Sequence, residues 1–312
     1  MKVFNSIKDF KKLPCAVVTI GAFDGVHLGH KKILSRVVEL AKASKGESVV
    51  ITFWPHPKKV TTVQHSIKVL SSLKERIKLI EQCGIDNLLV IEFTPEFSEL
   101  TPVEFIEKIL VNTIGTKKLV IGYDHRFGKN REGDFHLLEK KSSEYGYEVE
   151  EISRKDIDHI GVSSTFIRQA LEKGEVEKTA EYLGRMYSLT GTVVKGNQVG
   201  RTIGFPTANI KPEEQDKLIP FDGIYAMVAE IGGQRYKGML YIGVQPTIDG
   251  TKRTIEANLF DFDKDIYEKE ITVSFFKYLR GDQKFASLDD VKKQIQLDKE
   301  QANYFLNNLQ KV

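Results

Sequence analysis

The feature that most limits how this chain can fold is a change in its apolar period near Leu183. Before that point, short apolar runs alternate with helix-spaced patterns. After it, brief runs alternate apolar and polar residue by residue and are separated by turn signals. Residues 15–20 read as a buried strand, and after a glycine-rich turn Ile33, Leu34, Val37, Val38 and Ala41 fall at helical spacing. Strands are expected again over 48–53, 87–93 and 118–122. Ser72 with Glu75, and Thr101 with Pro102 and Glu104, are capping boxes that open helices. Strands interleaved with helices predict a parallel sheet covered on both faces. Two short helices, 163–173 ended by Gly174 and 176–183, follow.

Beyond residue 184 the expected strands lie at 188–194, 225–231, 236–242, 253–260 and 271–276, with Gly232-Gly233 as a hairpin turn. Such strands predict an antiparallel barrel, and residues 288–309 carry the spacing of a C-terminal helix. A chain of 312 residues is long for one core. The reading is an α/β Rossmann-like domain over 1–184 and a small antiparallel β-barrel domain over 185–312.

Charge excludes one class of partner. The stretch to Leu183 holds 28 basic and 26 acidic residues and the remainder 18 and 17. Neither part is a basic lobe that neutralises a nucleic-acid backbone, so small-molecule substrates are expected and nucleic acid is not. No apolar run approaches the roughly 18 residues of a membrane span, and the first 14 residues lack the apolar core of a signal peptide. Two cysteines without CxxC spacing fit a reducing, cytoplasmic setting. Nothing in the pattern reports an oligomeric state.

Gly21, Ala22, Phe23, Asp24, Gly25, Val26, His27, Leu28, Gly29 and His30 follow the first buried strand and open the first helix. Ligands of open α/β sheets bind at such strand ends. Glycine lets backbone approach them, and a helix N-terminus favours phosphate. His27 and His30 can both face one phosphate and donate to charge developing on the α-phosphorus of ATP. A glycine-rich turn with two surface histidines is the plainer alternative. Asp124 can hold a ribose hydroxyl, a metal or a base edge, and Arg126 can serve phosphates; a charged loop explains them equally. Ser163, Ser164 and Thr165 open a helix, as caps or as phosphate ligands with Arg168 one turn on.

The run from Gly196 to Asn209 is the most unusual stretch. It is neither a Walker A loop, since Gly200 is followed by Arg201, nor GxGxxG. Its glycines 196, 200 and 204 permit a backbone nest for phosphates. Thr207 and Asn209, on one side of an extended segment, offer hard oxygens suited to Mg²⁺. Alternation puts Glu256 and Asn258 on one face of a strand. Glu256 there is either a solvated carboxylate or a general base for an attacking hydroxyl.

Together these motifs resemble the bifunctional bacterial riboflavin kinase/FAD synthetase family over nearly the whole chain. HxGH occurs in many nucleotidyltransferases; the Gly-Phe-Pro-Thr-Ala-Asn run at 204–209 is far narrower. The resemblance implies an FMN adenylyltransferase followed by a riboflavin kinase, both using ATP and Mg²⁺, with riboflavin, FMN and FAD as substrates and products. It implies that His27 and His30 serve adenylyl transfer and Glu256 activates the riboflavin hydroxyl. ATP or its phosphates would meet Gly21, Phe23, Asp24, Gly25, Asp124, Arg126, Ser163, Ser164, Thr165 and Arg168 in the first domain. In the second they would meet Gly196, Gly200, Arg201, Gly204 and Pro206, with Thr207 and Asn209 on the metal. His125 stands where the family often has an aromatic residue, Tyr241 where asparagine is expected, Gln245 where arginine is common and Glu268 where glycine is usual. Two other readings are weighed: a kinase whose first domain transfers a nucleotide to a different phosphorylated acceptor, and a flavin- or nucleotide-sensing binding module with a nucleic-acid partner, which the near-neutral charge of both halves argues against.

Overall fold

Strands whose side chains are buried on both faces need continuous apolar runs, and five residues of Ala16–Ile20 in succession are buried. In this computed structural model, which describes residues 1–62, 67–153, 162–196, 200, 203–247 and 250–308, that strand (β2) lies within a six-stranded parallel sheet. Its companions are β1 (Lys2–Phe4), β3 (Glu47–Trp54), β4 (Asn87–Glu92), β5 (Thr116–Gly122) and β6 (Glu148–Ile152), in the order β1-β4-β3-β2-β5-β6. Alternate residues feed two cores. Val18, Ile20, Ile51, Leu89 and Ile121 pack with Phe105 and Leu110, while Val17, Val50, Leu88 and Val120 pack with Leu34, Val37 and Ile80.

Strand order reverses between β2 and β5, so the loops leaving these two strands flank a topological switch point. Both expected capping boxes form. Ser72 and Thr101 accept from the amides of Glu75 and Glu104, and each glutamate accepts in return from the capping residue's amide. After one turn, Pro102–Phe105 runs into a π-helical stretch, Ile106–Ile114, closed by left-handed Gly115; sequence periodicity had indicated only a helix. β1 and β6, absent from the sequence reading, are short edge strands with no buried apolar run.

The second half closes a barrel of antiparallel strands: β7 (Tyr187–Val194), β8 (Ala208–Pro212), β9 (Gly223–Ile231), β10 (Gln234–Thr247), β11 (Gly250–Leu259) and β12 (Glu270–Arg280), ordered β10-β11-β8-β7-β12-β9. Gly232 and Gly233, both at positive φ (56° and 79°), make the β9–β10 hairpin turn. The extended segment expected at Thr207 and Asn209 is part of β8, which was not counted among the barrel strands because its sequence Ala-Asn-Ile-Lys-Pro has one buried residue. Helix Leu288–Asn308 lays Ala302 and Leu306 on Ala226 and Met239 of the barrel wall. It is tied down by the bidentate Arg280–Asp298 pair, at 2.9 and 2.7 Å. Leu309, at the end of the expected helix, lies outside the described residues.

By contacts the chain divides into two compact units, Met1–Ser164 and Thr165–Val312. The helices Ser164–Leu171 and Val176–Leu183, placed before the boundary at 184 by sequence, fall almost wholly in the second unit. There the Phe221 amide donates to the Leu171 carbonyl (2.9 Å), and Gly174 abuts Tyr278.

Candidate active sites

In the first unit the glycine-rich turn leaves β2 and enters helix Leu28–Ala43 with His27 as its N-cap. Nδ1 of His27 accepts from the His30 amide at 3.3 Å, which leaves Nε2 to carry the proton of the neutral ring. The two imidazoles stack, centroids 3.6 Å apart and planes within 17°. Phe23 meets His30 edge-on at 5.1 Å. Burial, reinforced by His27 and Arg76, holds the His30 pKa well below its ordinary value. Its Nδ1 is buried with no hydrogen-bond partner among the described residues. Two stacked, oriented imidazoles at a helix N-terminus, with His30 held toward its neutral form, are suited to donating to an anionic oxygen.

Asp24 does not face that space. It is 2 % exposed, and its carboxylate accepts from the amides of Leu70 and Ser71 and the Ser71 hydroxyl. The expected direct contact with ATP gives way to a buried anchoring role. Gly25 donates to Ser71 Oγ, and Gly21 packs beneath the Phe23 ring. Ser164 Oγ donates to the Asp24 carbonyl (3.1 Å), which joins Ser163–Ser164 to the turn. Thr165 is exposed and Arg168 half-buried on the helix that begins the second unit.

The loop after β5 supplies Asp124, which is exposed. Arg126 pairs with Asp134 at 2.8 Å, and Asp134 caps the helix Phe135–Tyr145. His125 stacks on Phe127, and burial, with a smaller push from Arg131, lowers its pKa to about 4. Arg76 was missed by sequence reasoning altogether. It sits on helix Leu73–Glu81, which reads as amphipathic, yet it is fully buried.

In the second unit, register brings three expected residues together. Asn209 of β8 pairs directly with Glu256 of β11, and Thr207 Oγ1 donates to Glu256 Oε2 at 3.0 Å. Gly196 is needed where it stands: a Cβ there would lie 2.2 Å from Asn209 Nδ2. The Gly200 carbonyl accepts from the Phe205 amide (2.8 Å), and Gly204 has φ 88°. The Pro206 carbonyl accepts from Asn258 Nδ2 at 2.7 Å, which fixes the backbone just before Thr207. Arg201 lies outside the described residues. Beside Thr207 opens a cleft of about 390 Å³, lined by Val193, Pro206, Ala257, Leu259, Phe262 and the run Asp263–Tyr267. Its apolar wall and adjoining hard oxygens can take a flat base at one end and phosphates at the other.

Tyr241 faces Glu256 across β10–β11 and donates to Asp282 (3.2 Å). Burial, with Asp282, raises its pKa to about 12. Glu268 has φ 63°, a conformation glycine adopts freely, which accounts for glycine being usual there. The Gln245 side chain lies outside the described set. No group of three or more His, Cys, Asp or Glu residues able to hold a metal occurs among the described residues.

Comparison with known proteins covers both halves. The FAD synthetase family matches residues 9–166 and the riboflavin kinase family residues 183–306. A bifunctional riboflavin kinase/FMN adenylyltransferase from Escherichia coli (strain K12) is 36 % identical over 308 residues, covering 98 % of each chain. The protein of that name from Haemophilus influenzae is 37 % identical over 295 residues, covering 94 % of this chain and 95 % of that one. A crystal structure described as a macrolide-efflux protein from Streptococcus pneumoniae has a TM-score of 0.85 at 30 % identity, over 96 % of this chain and 98 % of that one. Among the described residues, no helix is long and apolar enough to cross a membrane.

Proposed function

Because the chain belongs to the bifunctional riboflavin kinase/FMN adenylyltransferase family, we propose that its two sites divide flavin chemistry, the barrel making FMN and the histidine turn converting FMN to FAD. The observation that carries the residue assignment is the β8–β11 register, which sets Thr207 and Asn209 against Glu256.

In the barrel, Glu256 is the general base. Its carboxylate takes the proton of the terminal ribityl hydroxyl as that oxygen bonds to the γ-phosphorus of ATP. The bond from that phosphorus to the bridging oxygen breaks, and ADP leaves. Thr207 orients the carboxylate by its hydrogen bond. Thr207 and Asn209 fit Mg²⁺ in the way that ion is usually held, by one or two protein oxygens with phosphates and water completing the shell. Bound there, Mg²⁺ would neutralise phosphate charge. Gly196, Gly200 and Gly204, with Arg201, would shape the phosphate loop, and the cleft beside Pro206 and Phe262 would take the base.

In the first unit, a phosphate oxygen of FMN attacks the α-phosphorus of ATP in line and pyrophosphate departs, so no protein nucleophile is needed. His27, through Nε2–H, and His30 stabilise the charge that develops. The helix start and Ser163 near the turn would add donors for phosphate, while Gly25 and Ser164, whose amide and hydroxyl bond Ser71 and the Asp24 carbonyl, hold the turn in shape. Asp124, exposed on the loop after β5, would take a ribose hydroxyl. Both steps consume soluble small molecules, and we assign the enzyme to the cytoplasm.

The test uses full-length protein with riboflavin, ATP and Mg²⁺, and flavins separated over time. His30→Ala should accumulate FMN without FAD, and Glu256→Gln should convert supplied FMN to FAD without phosphorylating riboflavin. Equal damage to both steps by either variant contradicts the assignment.

A further inference from the structure

The turn that presents the histidine pair is held in an unfavourable conformation. Phe23 and Val26 have φ of 45° and 40°, and Gly25 has φ 81°. Non-glycine residues in the left-handed region are strained and persist only where their surroundings over-determine them. A β-branched valine there is an outlier.

What over-determines this turn is a buried polar network with Arg76 at its centre. Asp24 accepts from Leu70, Ser71 and the Ser71 hydroxyl, and that hydroxyl accepts from Gly25. Arg76 Nη2 lies 3.5 Å from Asp24 Oδ1, both side chains being buried, at 0 % and 2 % exposure. Its Nη1 donates to the Phe53 carbonyl (3.1 Å) and reaches Thr52 Oγ1 at 3.4 Å. Thr52 in turn donates to the Ala22 carbonyl. The guanidinium lies 5.3 Å from the centre of the Trp54 ring. One cation thus ties a helix and strand β3 to residues 22–25. Apolar residues of the same volume often stabilise a fold at least as well as a buried ion pair, so stability alone does not account for the cation.

We propose that Arg76 is a positioning residue of the adenylyl-transfer site, locking the left-handed turn through Asp24 and so holding His27 and His30 in their stacked arrangement. Phe23 transmits the constraint, since its ring meets His30 directly. Arg76 also opposes protonation of His30. The groups acting on that imidazole are His27 from its own helix start and Arg76 from the helix Leu73–Glu81, with Asp24 engaged by Arg76. The proposal rests on the histidine pair serving adenylyl transfer.

The test compares Arg76→Met, Arg76→Lys and His30→Ala in the full-length chain, with riboflavin kinase activity and thermal unfolding read on each preparation. Arg76→Met should lower kcat for FAD formation about 100-fold, the scale of a 1 Å misplacement. KM for FMN and kinase activity should stay within about 3-fold of the parent, well inside that effect. The acid limb of its kcat profile should move to higher pH, because His30 then protonates more readily. Arg76→Lys keeps the charge without the fork that spans Phe53, Thr52 and Asp24. It should leave the acid limb in place while kcat still falls. If Arg76→Met does not fold, the Lys variant carries the test: parental kcat in that folded protein overturns the proposal. Loss of FAD formation in His30→Ala, with unchanged kcat and pH profile in a folded Arg76→Met, also overturns it. Full FAD formation in His30→Ala instead removes the reading beneath it.

Discussion

Thr207 and Glu256 are 49 residues apart in sequence, yet their side chains share a hydrogen bond of 3.0 Å, and the next residue but one after Thr207 pairs with Glu256 backbone to backbone. A hydroxyl that donates to a carboxylate fixes the orientation of that carboxylate. That relationship carries the proposed assignment of Glu256 as the general base of the barrel.

Glu256→Gln keeps the shape and removes the base. General-base removal costs about 10²–10⁴-fold, so riboflavin phosphorylation should fall at least about 100-fold. FMN adenylylation by the same preparation should be unchanged. Steady-state assays on each substrate check both.

Thr207→Ala should raise the Mg²⁺ concentration needed for half-maximal kinase activity, since one hard oxygen is lost. It should leave the Mg²⁺ dependence of FAD formation unaltered. Metal titrations of the two activities distinguish a local effect from a general one.

Gly196→Ala places a methyl group 2.2 Å from the present position of Asn209 Nδ2, so the amide must move. Kinase activity should drop about 10-fold or more, of the order expected when a positioned group shifts by less than 1 Å. The unfolding temperature should change little. Parental kinase activity would show that Asn209 is not needed where it stands.

Acid should weaken the first unit through its buried imidazoles. The His125 pKa is about 4 in the folded chain against 6.5 for an ordinary histidine, and that of His30 is also lowered. Below pH 6.5 the unfolded chain therefore binds protons that the folded one refuses, and stability falls as pH falls toward 4. Each such group contributes a slope of up to about 1.4 kcal/mol per pH unit. His125→Phe should lose less stability than the parent between pH 6.5 and 5 in denaturant titrations; parallel losses would contradict the assignment.

Local signals made much of this molecule legible in sequence. Ser72–Glu75 and Thr101–Glu104 could be read because a capping box needs only four residues, and Gly232-Gly233 because a tight hairpin needs positive φ. β1, β6 and β8 lacked apolar runs, since edge position or one-sided burial removes the period that marks a strand. Asp24 was read as a ligand because it sits inside a phosphate-binding motif; only packing shows it turned inward onto Leu70 and Ser71. Arg76 gave no signal, because an arginine on an amphipathic helix looks solvated until the strand beside it is known. The sequence left Glu256 open between a solvated carboxylate and a base, because its pairing with Asn209 depends on the register of β8 against β11, which no local pattern encodes.

The central claim, two separable sites in one chain, is tested most directly by mixing two crippled enzymes. His30→Ala and Glu256→Gln proteins, each alone with riboflavin, ATP and Mg²⁺, should yield FMN only and no phosphorylated flavin, respectively. Mixed, they should produce FAD, because FMN released by one is adenylylated by the other. FAD absent from the mixture, while each variant keeps its remaining single activity, would contradict two independently acting sites that share FMN.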